Sequence, residues 1–300
     1  MLEDFLGNEA LKNDLAAALR AGRLPGAVLL CGEKGLGKGF LARCLAADHL
    51  YPGGGPGAQA VMRRQSPECL EVMGEGASGQ IPVRRIREVR SEIMGTALSA
   101  AGRAVILYEA QNLNGASANA LLKILEEPPE GAVFILTAPG AAAVLSTIRS
   151  RCAAYSVTCP PREEGVAFLR EKGAGDDAAF YYDAYGGKVG LGLACIQQPG
   201  RREILEDAKK LARFTAQRSA YGLCALFSGY EKDKGAAQTL LSDGAQLLAA
   251  ASGALPNETL PLSAASGAVR FLEDASLSLR RGGNVKLILT ALAIRLSRGG

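Results

Sequence analysis

Asn119-Ala-Leu-Leu-Lys-Ile-Leu-Glu-Glu-Pro-Pro129 is the most informative stretch of this chain. Leu121, Ile124 and Leu125 recur at the spacing of one helical face, and Lys123, Glu126 and Glu127 fall mostly off it. Glu127 precedes a proline, which disfavours helical backbone there, so the Pro128-Pro129 pair ends the helix. Side-chain periodicity alone gives a short amphipathic helix with a rigid stop.

Its flanks supply the rest of a layer. Residues 27–31, 104–108 and 133–137 are continuous apolar runs of strand length. Such runs suit parallel strands buried on both faces. Between them the spacing predicts helices over 9–21 (Leu11, Leu15, Ala18 and Leu19 on one face, Gly22 and Pro25 closing it), 40–50 and 81–93. Residues 52–57, rich in glycine and proline, read as an irregular surface loop. Strands alternating with helices predict a doubly wound α/β domain, ending near Pro160-Pro161. Beyond it the pattern is helical. A small helical domain is expected over 161–200 and an all-helical third domain over 201–300, broken at Gly235, Pro256 and Gly282-Gly283.

Gly32-Glu-Lys-Gly-Leu-Gly-Lys38-Gly39 follows the first buried strand and opens a helix, the context that a phosphate loop requires. Gly32, Gly35 and Gly37 let backbone N–H groups curl around phosphate oxygens, and Lys38 reaches the β- and γ-phosphates. The next position departs from the motif. A working loop carries Ser or Thr there to help hold Mg²⁺; here it is Gly39. The second long strand ends Leu107-Tyr108-Glu109-Ala110. An active ATPase of this kind would place Asp-Glu at that end, the Asp assisting the metal and the Glu polarising the attacking water. Glu109 remains, as a vestige, and Tyr108 stands in the metal-side place. Both losses fall on the same cation. ATP or ADP binding through the loop is expected to be weak, Mg²⁺ doubtful, and turnover by this chain alone very poor. The competing reading, in which water completes the metal shell, keeps the chain an active ATPase.

The totals exclude little else. At 300 residues and 48% hydrophobic the chain is long and apolar enough for several packed domains. A net charge of +4 permits nucleic-acid contact without demanding it. No apolar run approaches the roughly 20 residues of a membrane span, and the acidic start Met1-Leu-Glu-Asp-Phe5 argues against export, so a cytoplasmic protein is expected. The seven cysteines form no Cys-x-x-Cys pair and read as reduced thiols.

The quoted helix resembles a hallmark of the bacterial AAA+ clamp loaders, and so do further segments in the same order. They are Leu6-Gly-Asn-Glu9, Arg23-Leu-Pro-Gly-Ala27, the phosphate loop, Ile86-Arg87, Glu109-Ala110, Thr147-Ile-Arg-Ser-Arg-Cys152, and Gly283-Asn-Val285 before a leucine-rich helix. The resemblance implies a RecA-like AAA+ module (1–160), a helical lid (161–200) and a collar (201–300) that closes a hetero-pentameric ring. In the ring, gamma/tau and delta subunits are the implied partners; the ring loads the sliding clamp on primed DNA within the DNA polymerase III assembly. Gly39 and Tyr108 fit a wall subunit better than the gamma/tau motor, which stays the alternative.

Within Ser150-Arg-Cys152 the resemblance implies that Arg151 is a finger given in trans to a neighbour's ATP site. The planar guanidinium suits it to offsetting γ-phosphate charge. The tripeptide alone is equally that of a structural arginine paired with a local carboxylate. Thr137 is implied as a γ-phosphate sensor, or is an ordinary strand-end threonine. Lys188 weakly replaces the lid arginine that relatives use as a second sensor. Many relatives carry a four-cysteine zinc knot after the loop helix. Here Cys44 and Cys69, even with the sole histidine, His49, fall short of four ligands, so no zinc is expected. Arg84, Arg87 and Arg90 lie three apart, as a DNA-facing row or a solvated basic face, and any DNA contact would be sequence-blind.

Overall fold

The computed structural model describes residues 1–76, 78–95, 101–249 and 262–298. The chain divides into two compact units, Met1–Pro160 and Pro161–Gly300.

In unit 1, β1 (Ala27–Cys31), β2 (Cys69–Val72), β3 (Ala104–Leu107), β4 (Val133–Ala138) and β5 (Ala153–Ser156) form a sheet of order β2-β3-β4-β1-β5, and every pairing is parallel. The three central strands are buried along their whole length. Their alternate residues enter two cores. Val28, Leu30, Ile106 and Ile135 join α1 (Glu9–Arg20), α2 (Lys38–Leu50) and α3 (Gly55–Met62) on one face. Leu29, Val105, Leu107, Phe134 and Leu136 join α4 (Val83–Ile93), α5 (Gly115–Glu126) and the short α6 (Ser146–Arg149) on the other. This is a doubly wound α/β sheet, built from period-two strands covered on both sides.

Four details correct the sequence reading. The two edge strands, β2 and β5, were not expected; neither is a continuous apolar run, and β5 is part-exposed at every residue. Half of the expected 52–57 loop is instead the start of α3. Gly54, at φ 71°, turns the chain, Pro56 suits the first helical turn, and Ala58 and Val61 are fully buried. The hallmark helix starts four residues before Asn119, because Asn114 caps it by accepting from Ser117 N at 2.9 Å. The basic helix begins at Val83, as Pro82 caps it and the buried Ile81 bridges to Leu113.

Among its described residues unit 2 is all helical: α7 (Arg162–Leu169), α8 (Ala178–Ala184), α9 (Val189–Gln197), α10 (Arg201–Ala216), α11 (Ala220–Ser228), α12 (Lys234–Ala249), α13 (Leu262–Arg280) and α14 (Val285–Arg298). One buried cluster runs from Leu169 to Leu296, so the helices expected as lid and collar pack about a shared core. A buried polar knot sits inside it. Arg201 forks onto Asp243, and Tyr185 Oη donates to Asp243 Oδ2 at 3.1 Å. Cys195 Sγ lies 3.2 Å from the same hydroxyl. Gly282, at φ 91°, turns the chain between α13 and α14, whereas Gly235 lies within α12 instead of breaking it. The break expected at Pro256 falls outside the described residues. Among the described residues, no helix is long and apolar enough to cross a membrane.

Candidate functional site

The sheet order places a topological switch at β1, whose neighbours β4 and β5 lie on opposite sides. Crevices outside the carboxyl ends of strands at such points are where open α/β sheets take ligands. The loop 32–37 leaves β1 there, with Gly32 at φ 158°, Gly35 at φ 94° and Gly37 at φ 81°. Gly32 admits no side chain, since a Cβ would lie 2.6 Å from Val157 O. Gly37 caps α2 in left-handed backbone, which glycine adopts without steric cost.

Lys38, the first residue of α2, folds onto the loop. Its Nζ donates to Gly32 O at 2.5 Å and to Glu33 O at 2.7 Å. Burial pulls its pKa below the ordinary lysine value, and the Glu109 carboxylate opposes that. Glu109 follows β3 in left-handed backbone, at φ 54°, an uncommon conformation for a residue with a side chain. Thr137 holds it there. Thr137 Oγ1 accepts from Glu109 N at 3.0 Å, and Asn112 Nδ2 donates to Glu109 Oε2 at 3.1 Å. Lys38, Glu109 and Thr137 therefore meet at the ends of β1, β3 and β4.

Gly39 faces an aromatic ring. A Cβ on Gly39 would lie 2.9 Å from Tyr108 Cε1. Tyr108 Oη donates to Glu71 Oε2 at 2.8 Å and accepts from Arg43 Nη1 at 3.1 Å. Arg64 Nε is 3.4 Å from Glu71 Oε2, and its guanidinium carbon stands 5.7 Å from the centre of the Tyr108 ring. Burial, then the Glu71 hydrogen bond, pushes the Tyr108 pKa up to about 12. Sequence reading missed Arg43, Arg64 and Glu71. Arg43 was within reach, four residues past Gly39 on the same helix face. Glu71 lies on the unexpected β2, and its placement beside Tyr108 follows from the β2–β3 register, Val72 opposite Leu107.

Arg151 lies elsewhere, exposed just past α6. Its Nη2 donates to Glu126 Oε1 at 2.5 Å and its Nη1 to Thr147 O at 3.1 Å, so its partners are the end of the hallmark helix and its own turn. The arginine row divides. Arg84 pairs with Glu75 and Glu88. Arg87 and Arg90 instead line a groove of about 240 Å³ with Lys123, Asn119 and the apolar floor Val83, Ile86 and Ala120. Of the cysteines weighed as zinc ligands, Cys44 is fully buried and Cys69 part-buried. Burial raises both thiols to about 12, and the His49 ring nitrogen lies 3.2 Å from Gly131 O. Lys188, in unit 2, donates to Gln246 Oε1 at 2.9 Å.

The chain is similar to known proteins over much of its length. The family model described as DNA polymerase III, delta subunit, matches residues 7–160. DNA polymerase III subunit delta' of Escherichia coli (strain K12) is 29% identical over 94% of this chain and 92% of its own length. DNA polymerase III subunit gamma of Buchnera aphidicola (subsp. Acyrthosiphon pisum, strain APS) is also 29% identical, over 56% of this chain. The chain spans about half of that relative, 48% of its length. A solved DNA polymerase III gamma subunit-related protein from Thermotoga maritima superposes with a TM-score of 0.59 at 20% identity, covering 95% of this chain and 99% of that one. The last comparison speaks for the fold alone.

Proposed function

Because the chain belongs to the DNA polymerase III delta-subunit family, whose model spans residues 7–160, we propose that it is a delta-prime-like wall subunit of a clamp loader. It helps assemble the hetero-pentameric ring, with gamma/tau and delta subunits, that loads the sliding clamp on primed DNA. It turns over little or no ATP itself and lends Arg151 to the ATP site of its neighbour. The observation that carries the subunit type is the end-to-end similarity to a delta' chain, 94% of one and 92% of the other, where the gamma relative matches over about half.

The local chemistry supports the non-motor role. Two protein oxygens that would hold Mg²⁺ in an active loop are missing at Gly39 and Tyr108. The phenol at 108 is engaged by Glu71 and Arg43, which leaves Glu109 as the carboxylate opposing Lys38. That donor set does not fit a divalent ion. Lys38 and the loop N–H groups remain suited to a phosphate chain, so ATP or ADP is at most a weakly held ligand. Arg151 fits a lent guanidinium, since it is exposed and its carboxylate partner, Glu126, is exposed too. Exchanging an exposed ion pair for a phosphate contact costs little, as such pairs contribute about 0–1 kcal/mol. Arg87, Arg90 and Lys123 suit a sequence-independent hold on the DNA backbone.

Replacing Arg151 in the reconstituted loader tests this reading. Arg151→Ala should leave the chain folded and assembled, yet slow the site it serves by on the order of 10³-fold or more. Unchanged ATP turnover in the ring removes the in-trans role. The motor alternative draws on Lys38 facing Glu109. For the purified chain alone, turnover approaching roughly 1 s⁻¹, the low end of ordinary enzymes, would establish that alternative.

A further inference from the structure

Gly39 and Tyr108 are two halves of one steric arrangement. Position 39 is where a phosphate loop projects its metal-binding hydroxyl from the first turn of the following helix. A Cβ at that position would stand 2.9 Å from Tyr108 Cε1 and 3.6 Å from Cδ1. Carbon atoms pack best at about 3.5–4.0 Å, so a side chain at 39 and the ring at 108 exclude each other.

The ring is also held from outside. Arg43 Nη1 and Glu71 Oε2 fix its hydroxyl at 3.1 Å and 2.8 Å, and Arg64 bridges Glu71 while lying 5.7 Å from the ring centre. These groups arrive from α2, from β2 and from the turn after α3. Swinging the ring away would strip two charged partners at once and leave the part-buried Glu71 facing Arg64 alone.

We propose that Tyr108 is a plug: with Arg43, Glu71 and Arg64 it closes the divalent-cation position of the phosphate loop, so that any phosphate chain bound there is bound free of metal. This rests on the phosphate-loop reading of residues 32–39 and is independent of the clamp-loader assignment. The ligand class is therefore an uncomplexed nucleotide or polyphosphate, held by loop N–H groups and Lys38. Gly39 is kept glycine by the ring, and the ring is kept in place by the two arginines and the glutamate.

A double-mutant cycle in the full-length chain tests the steric half. Serine is a better helix former than glycine, so Gly39→Ser should raise the denaturant midpoint wherever space allows. With Tyr108 present it should lower that midpoint; in the Tyr108→Ala background it should raise it. The same sign in both backgrounds would overturn the plug. The metal half is read with Mn²⁺ and ATP by paramagnetic resonance. Wild type and each single variant should show no protein-bound Mn²⁺ above the ATP-only baseline. Gly39→Ser/Tyr108→Asp should show at least a tenfold increase. Wild type that binds Mn²⁺ as well as that double variant, Gly39→Ser alone gaining it, or no gain in the double variant would each refute the proposal. None of these results touches the ring assay on Arg151, so either reading can fail while the other stands.

Discussion

At the scale of single residues, this molecule pairs charges where burial makes an unpaired charge costly. Asp243 is 1% exposed and Tyr185 fully buried, and Arg201 forks onto the aspartate between them. Burial, and then the Asp243 charge, raises the Tyr185 phenol well above its ordinary range, so it stays a neutral donor. Removing one partner strands the other. Asp243→Ala should cost about 3–5 kcal/mol of unfolding free energy, because the part-buried guanidinium of Arg201 loses its counter-charge. Replacing the pair together, Arg201→Met with Asp243→Leu, should cost much less, since an apolar pair needs no compensation. Urea unfolding of the single and double variants measures the difference. Equal losses in both would mean that shape, not charge, holds the knot. Glu109 illustrates the opposite case. Its left-handed backbone is held by one threonine hydroxyl, and its carboxylate by one asparagine amide. Uncommon backbone of this kind concentrates at functional sites.

At the scale of elements, α4 and α5 form one basic surface from two helices whose sequences look unrelated. The row Arg84, Arg87 and Arg90 read as a single stripe, but Arg84 is spent on Glu75 and Glu88. Its place in the groove is taken by Lys123, from the hallmark helix. That exchange follows from helix packing. Ile86 and Val89 of α4 and Leu121 and Ile124 of α5 point into one core, which turns Arg87, Arg90 and Lys123 toward the same opening. If the groove grips the DNA backbone, removing one cation should weaken the assembled ring on every primed template alike. The slope of log K against log salt should shrink by about 1 for each of Arg87→Ala, Arg90→Ala and Lys123→Ala. Arg84→Ala should change it less. An unchanged slope in all three groove variants would mean that the groove faces solvent.

At the scale of the whole molecule, the chain carries two separate sets of cores. Among the described residues, the sheet and its covering helices form the cores of the first unit, Met1–Pro160, and one helical cluster from Leu169 to Leu296 forms that of the second. A unit with its own core could in principle fold alone. Residues 1–160 and 161–300, expressed apart, should each unfold in one cooperative thermal transition. A fragment of 161–300 that melted in two steps would instead place a boundary near residue 200, between the expected lid and collar. The knot of Tyr185, Cys195, Arg201 and Asp243 argues for one step, because it ties α9 and the turn before it to α10 and α12.

The central strands and the glycine-rich turn after β1 were legible in the residues alone. Ala27–Cys31 and Val133–Ala138 are buried on both faces, so their apolar runs are continuous, and a glycine-rich loop keeps its spacing whatever surrounds it. The identities of Gly39 and Tyr108 were equally plain. Their contact was not. It depends on β2 pairing with β3 in one register, which brings Glu71 to Tyr108 across 37 residues. Edge strands leave little pattern, because half-exposed residues need not be apolar. Local periodicity reports what a segment buries; which side chains then meet is set by strand order and register, long-range choices that no short stretch of chain contains.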